Sequence, residues 1–436
     1  MQIGIRYGKG DLTLDLQDDA DIHVVRSQPA APVHDAETAI RRALKTPIGL
    51  PPLAELVRAH DRVVLVFSDI TRPVPNDILI PNILREIGHV PKDRIVLLNA
   101  LGTHRPQTPE ELSLMLGQDI VRDYRIVQHD ANDQASLVQM GQSSYGSPFW
   151  LNRQYAEADK RIVTGLIEPH FFAGFSGGPK AIVPGIAGLE TILANHSPHM
   201  LASPGATWAC TEGNPVWMEM HELAVKAGPA FLVNICITSD RRIAGVFAGD
   251  LTEAHAAGCE YANTHAVRHV ASPADIVVTS NAGYPLDQNL YQAVKAMSVA
   301  ARVVRPGGHI IVAAECLDGV PDGSHYQRML RQARSPEEAE ARLLASGTVE
   351  TEQWQVQVQL AIQRHATVHL KSDGLSDDEI RAALLEPCHQ LEETIEDLRR
   401  RLGPEARICI LPDGPHTIAT LVGPRHPKPA SGRAEP

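Results

Sequence analysis

The chain has 436 residues, enough for two or three domains with substantial cores. A formal charge of −12 argues against a general nucleic-acid or anionic-membrane binder, but leaves room for a local basic pocket. The six cysteines, Cys210, Cys236, Cys259, Cys316, Cys388 and Cys409, include no CxxC pair, so no zinc knuckle or thioredoxin-like motif is expected. Their apolar and helical surroundings suit buried, reduced thiols. No apolar run reaches the roughly 18 residues of a membrane span, and Met1–Arg6 lacks a signal-peptide core. A soluble cytoplasmic protein is expected, with neither nucleic acid nor membrane as a partner.

Taken in order, residues 2–16 predict a hairpin that turns on Gly8-Lys9-Gly10. Helices are expected over 36–44 and 52–59. RVVLVF (62–67) predicts a buried strand, followed by the loop SDITRP (68–73) and a helix over 77–87. RIVLLNA (94–100) repeats the plan with the exit loop LGTHRP (101–106). Thr108-Pro109-Glu110-Glu111 is a capping box with proline at the first helical position. Residues 124–128 predict a strand, 129–158 a hairpin with a loop, and RIVTGLI (161–167) a third buried strand. Strands alternating with helices imply a parallel α/β sheet. Such sheets bind ligands beyond the carboxyl ends of their strands. The exit loops carry Asp69 with Arg72, His104 with Arg105, and then His170.

The third strand runs into EPHFFAGFSGGPKAIVPG (168–185), and a short helix over 188–194 then delivers Asn195-His196-Ser197. The Gly-rich loop resembles a P-loop only superficially. Pro179 and Ala181 flank Lys180 where that motif needs Gly and then Ser or Thr. Two readings stay open: a glycine-rich turn with an ordinary lysine and histidines, or a loop holding a phosphorylated cofactor. Strands are expected over 231–238 and 242–248, and a helix over 251–264. DIVVTS (275–280) predicts a further strand, leading through Asn281–Asp287 to a helix over 288–303 capped by Asp287. Gln288, Tyr291, Gln292 and Lys295 form one polar stripe on that helix, either a solvated face or a ligand-facing one. A strand over 308–314, helices over 335–346, 351–365 and 376–402, and a strand over 406–411 complete the pattern. The tail from 424 to 436 is expected to be disordered.

Five blocks, SDITRPVP (68–75), GTHRPQT (102–108), EPHFFAGFSGGPKAIVPG (168–185), NHS (195–197) and SNAGYPLDQNLYQAVK (280–295), resemble the nickel-dependent lactate racemase family in its own order. The resemblance implies an α/β fold of two domains, each with a mostly parallel sheet flanked by helices, and an active site in the cleft between them. The N-terminal cofactor-binding domain would span 1–268 plus 404–423, and the smaller domain 273–402. The implied cofactor is a nickel pincer nucleotide, a pyridinium-3-thioamide-5-thiocarboxylic acid mononucleotide. It would be covalently attached at Lys180, with His196 as the protein's nickel ligand. Asp69, Thr71, Gly174, Ser176, Gly177 and Gly178 would contact it. His104 and His170 map to the acid/base histidines, and Arg72, Tyr291, Gln292 and Lys295 to substrate binding. Trp354 matches an aromatic that shields the pocket.

The residue types suit that mapping. A neutral imidazole can complete a square-planar nickel site whose other positions are held by the pincer. Oxidation by hydride transfer, giving a planar 2-oxo acid, avoids removing a weakly acidic C–H proton. One base is needed for each enantiomer. The implied activity is racemisation of a lactate-type 2-hydroxy acid, with cofactor-synthesis enzymes as partners. Alternatives with the same chemistry are a malate racemase or an aldonate 2-epimerase. An alternative of another class is a non-catalytic nickel or cofactor carrier, against which the two intact histidines argue. A nicotinamide dehydrogenase is disfavoured because no G-x-G-x-x-G follows a predicted strand.

Overall fold

A computed structural model of the chain describes residues 1–16, 21–321, 323–345 and 349–422. It divides into two compact units. The larger holds residues 28–266 and 342–357. Its six-stranded sheet runs, edge to edge, Ile243–Asp250, Phe231–Ile237, Lys160–Leu166, Val63–Ser68, Ile95–Ala100 and Arg125–Gln128. Every pairing is parallel except that of the edge strand Ile243–Asp250. Helices cover the sheet faces, which is why VVLVF and IVLL read as continuous apolar runs rather than alternating ones. On one face Val63, Leu65 and Phe67 pack with Ile40 and Leu44 of helix Ala36–Lys45 and with Leu79, Ile80 and Ile83 of helix Asn76–Glu86. The Thr108 capping box forms as expected, and the 129–158 stretch holds the hairpin Leu137–Gln142 with Pro148–Asn152.

The second unit holds residues 1–27, 267–341 and 358 onward. Its six-stranded sheet is all parallel, in the order Glu386–Pro387, Thr367–Lys371, Val304–Ala313, Ala274–Ser280, Ile408–Leu411 and Ile22–Val24. The N-terminal hairpin pairs Gln2–Tyr7 with Gly10–Asp15 and places Ile3, Ile5 and Leu14 against Ile276, Val278 and Ile311. Both sheets are mostly parallel, as the α/β reading expects.

The unit boundaries differ from the sequence expectation. Residues 404–423 were expected to return to the N-terminal domain. Instead Ile408–Leu411, buried throughout, lies between Ala274–Ser280 and Ile22–Val24. The first 27 residues belong to that unit too. An apolar strand announces that it is buried, but carries no mark of which distant strand it will pair with. The single helix expected over 376–402 is two, Asp377–Ala382 and Leu391–Leu402. They are separated by Leu384 at a φ of 62° and by the short edge strand Glu386–Pro387. Pro387 has no N–H for a helix interior. The tail at 424–436 lies outside the described residues. Among the described residues no helix is long and apolar enough to cross a membrane. All six cysteines are free thiols, five of them buried and Cys210 partly so.

Asp287 does not cap the following helix. The helix spans Leu290–Ala300, and Asn289 caps it by accepting the Gln292 N–H at 3.0 Å. The fully buried Asp287 instead accepts the backbone N–H of Gly8 at 2.6 Å and of Glu315 at 3.3 Å. Removing it strands one buried and one part-buried donor, the buried one alone at a cost of about 1–3 kcal/mol, whereas losing an N-cap costs about 1 kcal/mol. Asp287→Ala should therefore lower the urea-unfolding free energy more than Asn289→Ala does. The reverse order would return the capping role to Asp287.

Candidate active site

Three neighbouring parallel strands, Lys160–Leu166, Val63–Ser68 and Ile95–Ala100, deliver their exit loops to one edge of the larger unit's sheet. That edge is where an open α/β sheet binds ligands. Hydrogen bonds join Asp69 to Thr71 and to His104 of the next loop, and Arg72 to Glu168 of the third, which also carries His170. Gly102, at a φ of 55°, donates its N–H to Gly185 O at 2.9 Å and so ties the His104 loop to the stretch after Lys180.

Asp69 is the anchor of the first pair. Its side chain is 4% exposed, while that of His104 is 53% exposed. His104 Nδ1–H donates to Asp69 Oδ2 at 2.6 Å, and Thr71 Oγ1 donates to Oδ1 at 2.7 Å. Burial alone would raise the Asp69 carboxyl. The hydrogen bonds from His104 and Thr71, with the charges of His104 and Arg72, outweigh it and hold the carboxyl below its usual range. A proton fixed on Nδ1 leaves Nε2 of neutral His104 as the basic nitrogen. Asp69, to which the resemblance gives a cofactor contact together with Thr71, thus holds the His104 ring on one oxygen and the Thr71 hydroxyl on the other.

Arg72 Nη1 donates to Glu168 Oε1 at 3.2 Å, a half-buried pair. Glu168 is the partner that sequence reasoning missed. Its signal was present, a carboxylate placed directly after a buried strand and two residues before His170. The second histidine, His170, is 7% exposed and stacks on Phe171, with centroids 4.8 Å apart. Its Nδ1 accepts the Ala173 N–H at 3.3 Å, which favours a proton on Nε2 in the neutral ring.

A ladder of rings leads from His170 to Phe172 at 4.6 Å, from Phe172 to His196 at 5.1 Å, and from His196 to Trp354 at 5.3 Å. His196 follows helix Leu189–Asn195 and is buried. Burial first, and then the charge of Lys180, push its imidazole down to about 3, so the ring is neutral at ordinary pH. Its Nδ1 is buried with no hydrogen-bond partner. A neutral imidazole with an orphaned nitrogen is what a nickel ligand requires. Lys180, in the turn Gly178–Ala181, lies close enough to act on it electrostatically. Among the described residues no group of three or more His, Cys, Asp or Glu side chains could hold a metal. The neutral, orphaned imidazole of His196 beside Lys180 fits a lysine-linked nickel cofactor.

Some polar groups of the Gly-rich loop meet partners within the protein. From sequence, its N–H groups are available to a phosphate. In the structure Ser176 N–H donates to Glu168 O at 2.9 Å, and Gly178 N–H donates to Asn234 Oδ1 at 2.7 Å. Ser176 Oγ donates to Leu166 O at 2.7 Å. The amides of Ser176 and Gly178 and the Ser176 hydroxyl are thus already engaged within the protein. Glycine is required for another reason. A Cβ at Gly174 would lie 2.1 Å from Cys210 O, and one at Gly177 2.5 Å from Asn234 Oδ1.

Tyr291, Gln292 and Lys295 lie in the other unit, on helix Leu290–Ala300, at the spacing the sequence gives. The Tyr291 ring meets Tyr326 edge-on at 5.5 Å, and Gln292 Oε1 is buried without a partner. Gln288 precedes the helix rather than joining its stripe.

Known proteins match this chain along nearly its whole length. The family model of the lactate racemase N-terminal domain matches residues 7–209, and that of the lactate racemase C-terminal domain matches residues 269–419. The chain is 36% identical to the lactate racemase of Thermoanaerobacterium thermosaccharolyticum over 421 residues, covering 95% of this chain and 98% of that protein. It is 38% identical to the lactate racemase of Lactiplantibacillus plantarum over 422 residues, covering 94% and 98%. The solved lactate racemase apoprotein from T. thermosaccharolyticum superposes with a TM-score of 0.90 at 35% identity, covering 96% of this chain and all of that one.

Beneath the Gly-rich loop, burial pushes the His255 imidazole down to about 4. The unfolded chain takes up a proton at this residue as pH falls through about 6.5, and the folded chain does not until near 4. His255 therefore contributes stability that is full above the unfolded value and is lost as pH drops across that window. Urea midpoints measured from pH 7 to 4 should fall more steeply for the parent chain than for His255→Gln. Parallel curves would refute the burial effect.

Proposed function

The chain belongs to the lactate racemase family, and from that premise we propose that it is a racemase interconverting the enantiomers of lactate or a closely similar 2-hydroxy acid through a planar 2-oxo acid. The observation that carries the reading is the Asp69–His104 pair, with Arg72 in the same loop cluster. A bound nickel pincer nucleotide would act as the reversible hydride acceptor; Lys180 is the residue for its covalent attachment and His196 the protein ligand for its nickel.

The chain's own residues do the rest. Nε2 of His104 takes the substrate's hydroxyl proton, and the Asp69 carboxylate on Nδ1 stabilises the imidazolium that results. His170 performs the same task for the opposite enantiomer. To become an imidazolium it must release the Ala173 N–H from Nδ1, a cost that His104 does not bear. Arg72 exchanges Glu168 for the substrate carboxylate, which can engage its guanidinium in two parallel hydrogen bonds. Phe172 and Trp354 pack around His196 and limit water there. In the smaller unit, Tyr291, Gln292 and Lys295 are assigned to substrate binding, Lys295 adding positive charge.

Arg72→Lys keeps the charge and loses the planar fork. Truncating a desolvated charge contact costs about 2–5 kcal/mol, so kcat/KM should collapse in that variant, and near-normal kinetics would remove Arg72 from the site. Holoenzyme should carry one adduct on Lys180, which peptide mapping locates. Lys180→Ala should lose adduct and nickel together, whereas His196→Ala should keep much of the adduct and retain nickel more weakly.

His104→Ala and His170→Ala should each abolish racemisation, yet each should still oxidise one enantiomer in a single turnover. Rapid mixing with pure enantiomers reads this out. Loss of the same enantiomer's half-reaction in both variants would sink the two-base assignment.

A further inference from the structure

We propose that Asn234 and His255, two buried side chains outside the reacting groups, are the positioning residues of Lys180, and that the Gly-rich loop is a seat for that lysine. The proposal rests on the lysine-linked reading above. Asn234 lies in strand Phe231–Ile237 and His255 on helix Leu251–Ala266. They are 0% and 1% exposed. From one side Asn234 Oδ1 accepts the Gly178 N–H at 2.7 Å. From the other, His255 Nε2–H donates to Ser176 O at 3.0 Å. The loop backbone rests directly on both groups. A Cβ at Gly178 would lie 2.5 Å from His255 Cγ and Cδ2, and one at Gly177 2.5 Å from Asn234 Oδ1. Residues with side chains at 177 and 178 would lift the loop off its supports.

The lysine follows at once. Lys180 N–H donates to Gly177 O at 3.0 Å and closes the turn Gly178–Ala181. Three hydrogen bonds and two close backbone contacts therefore hold the backbone that carries Lys180. Precise placement matters because lysine carries about 2 kcal/mol of rotamer entropy, and a reactive end displaced by even 1 Å can cost about a hundredfold in rate. Buried polar side chains are costly unless they form hydrogen bonds. Here Asn234 Oδ1 and His255 Nε2 bond this loop, the His255 ring also meets Cys259 Sγ, and Asn234 Nδ2 is left buried without a partner.

The test compares His255→Gln, which can still donate to Ser176 O, with His255→Leu, which cannot. Both are produced alongside the enzymes that make the cofactor, and intact mass gives the fraction of chains carrying the Lys180 adduct. The Gln variant should load within twofold of the parent, and the Leu variant at least tenfold less. Equal loading of the two folded variants overturns the proposal. If His255→Leu does not fold, Asn234→Asp (acceptor kept) and Asn234→Leu (acceptor lost) give the same comparison with the same criterion. A parent chain that carries no adduct would instead refute the lysine-linked reading. In that event amine labelling of Lys180 in the unloaded chain decides the positioning claim alone. An at least threefold change in labelling rate between the Gln and Leu variants is expected, and identical rates would overturn it. Among chains that do load, kcat and KM per loaded site should match the parent, because neither side chain touches substrate.

Discussion

The parallel pairing of Lys160–Leu166, Val63–Ser68 and Ile95–Ala100 is the constraint from which the larger unit's site follows. Three parallel neighbours end at one edge, so their exit loops converge whatever residues those loops carry. The apolar runs that make the strands cohere are long enough to be buried on both faces. The polar residues begin at the first position past each run: Ser68 and Asp69 after one, Gly102 to His104 just beyond another, Glu168 to His170 after the third. The join between core and chemistry is therefore sharp. It places buried Asp69 at the base of the site, where its charge acts through His104 rather than being dissipated by water.

Much of this was legible in the sequence because it depends on local signals. Buried strands, the Thr108 capping box, the Gly8-Lys9 turn and the stripe Tyr291, Gln292 and Lys295 are each set by a few adjacent residues. The histidines and Arg72 were found because they follow strands. What could not be read was which distant partners meet. Ile408–Leu411 is visibly a buried strand, but its neighbours lie far away in sequence, at 274–280 and 22–24. Asp287 looked like a helix cap because it sits just before a helix. Its true partners, Gly8 and Glu315, are distant or non-helical, and Asn289 two residues later does the capping.

The Gly-rich loop shows the same limit in a site residue. A run of glycines signals close approach, but not of what. Sequence suggests an anion, because unshielded amides are a common way to hold one. In the structure the approach is from Asn234 and His255 within the protein, and the amides of Ser176 and Gly178 are engaged internally. Glu168 was overlooked for a similar reason. Its place after a buried strand was visible, but its partner Arg72 lies 96 residues away along the chain.

The electrostatics around Lys180 and His196 support the covalent reading from a separate direction. His196 is fully buried, and the lysine charge helps hold its imidazole neutral. That charge would also repel a metal cation brought to His196. In a low-dielectric interior such repulsion is strong. On the proposed reading, an amide-type link at Lys180 would remove that charge. The residue whose charge opposes a metal would then become the tether of the group that carries it, and the imidazole that burial keeps neutral would be available as the ligand.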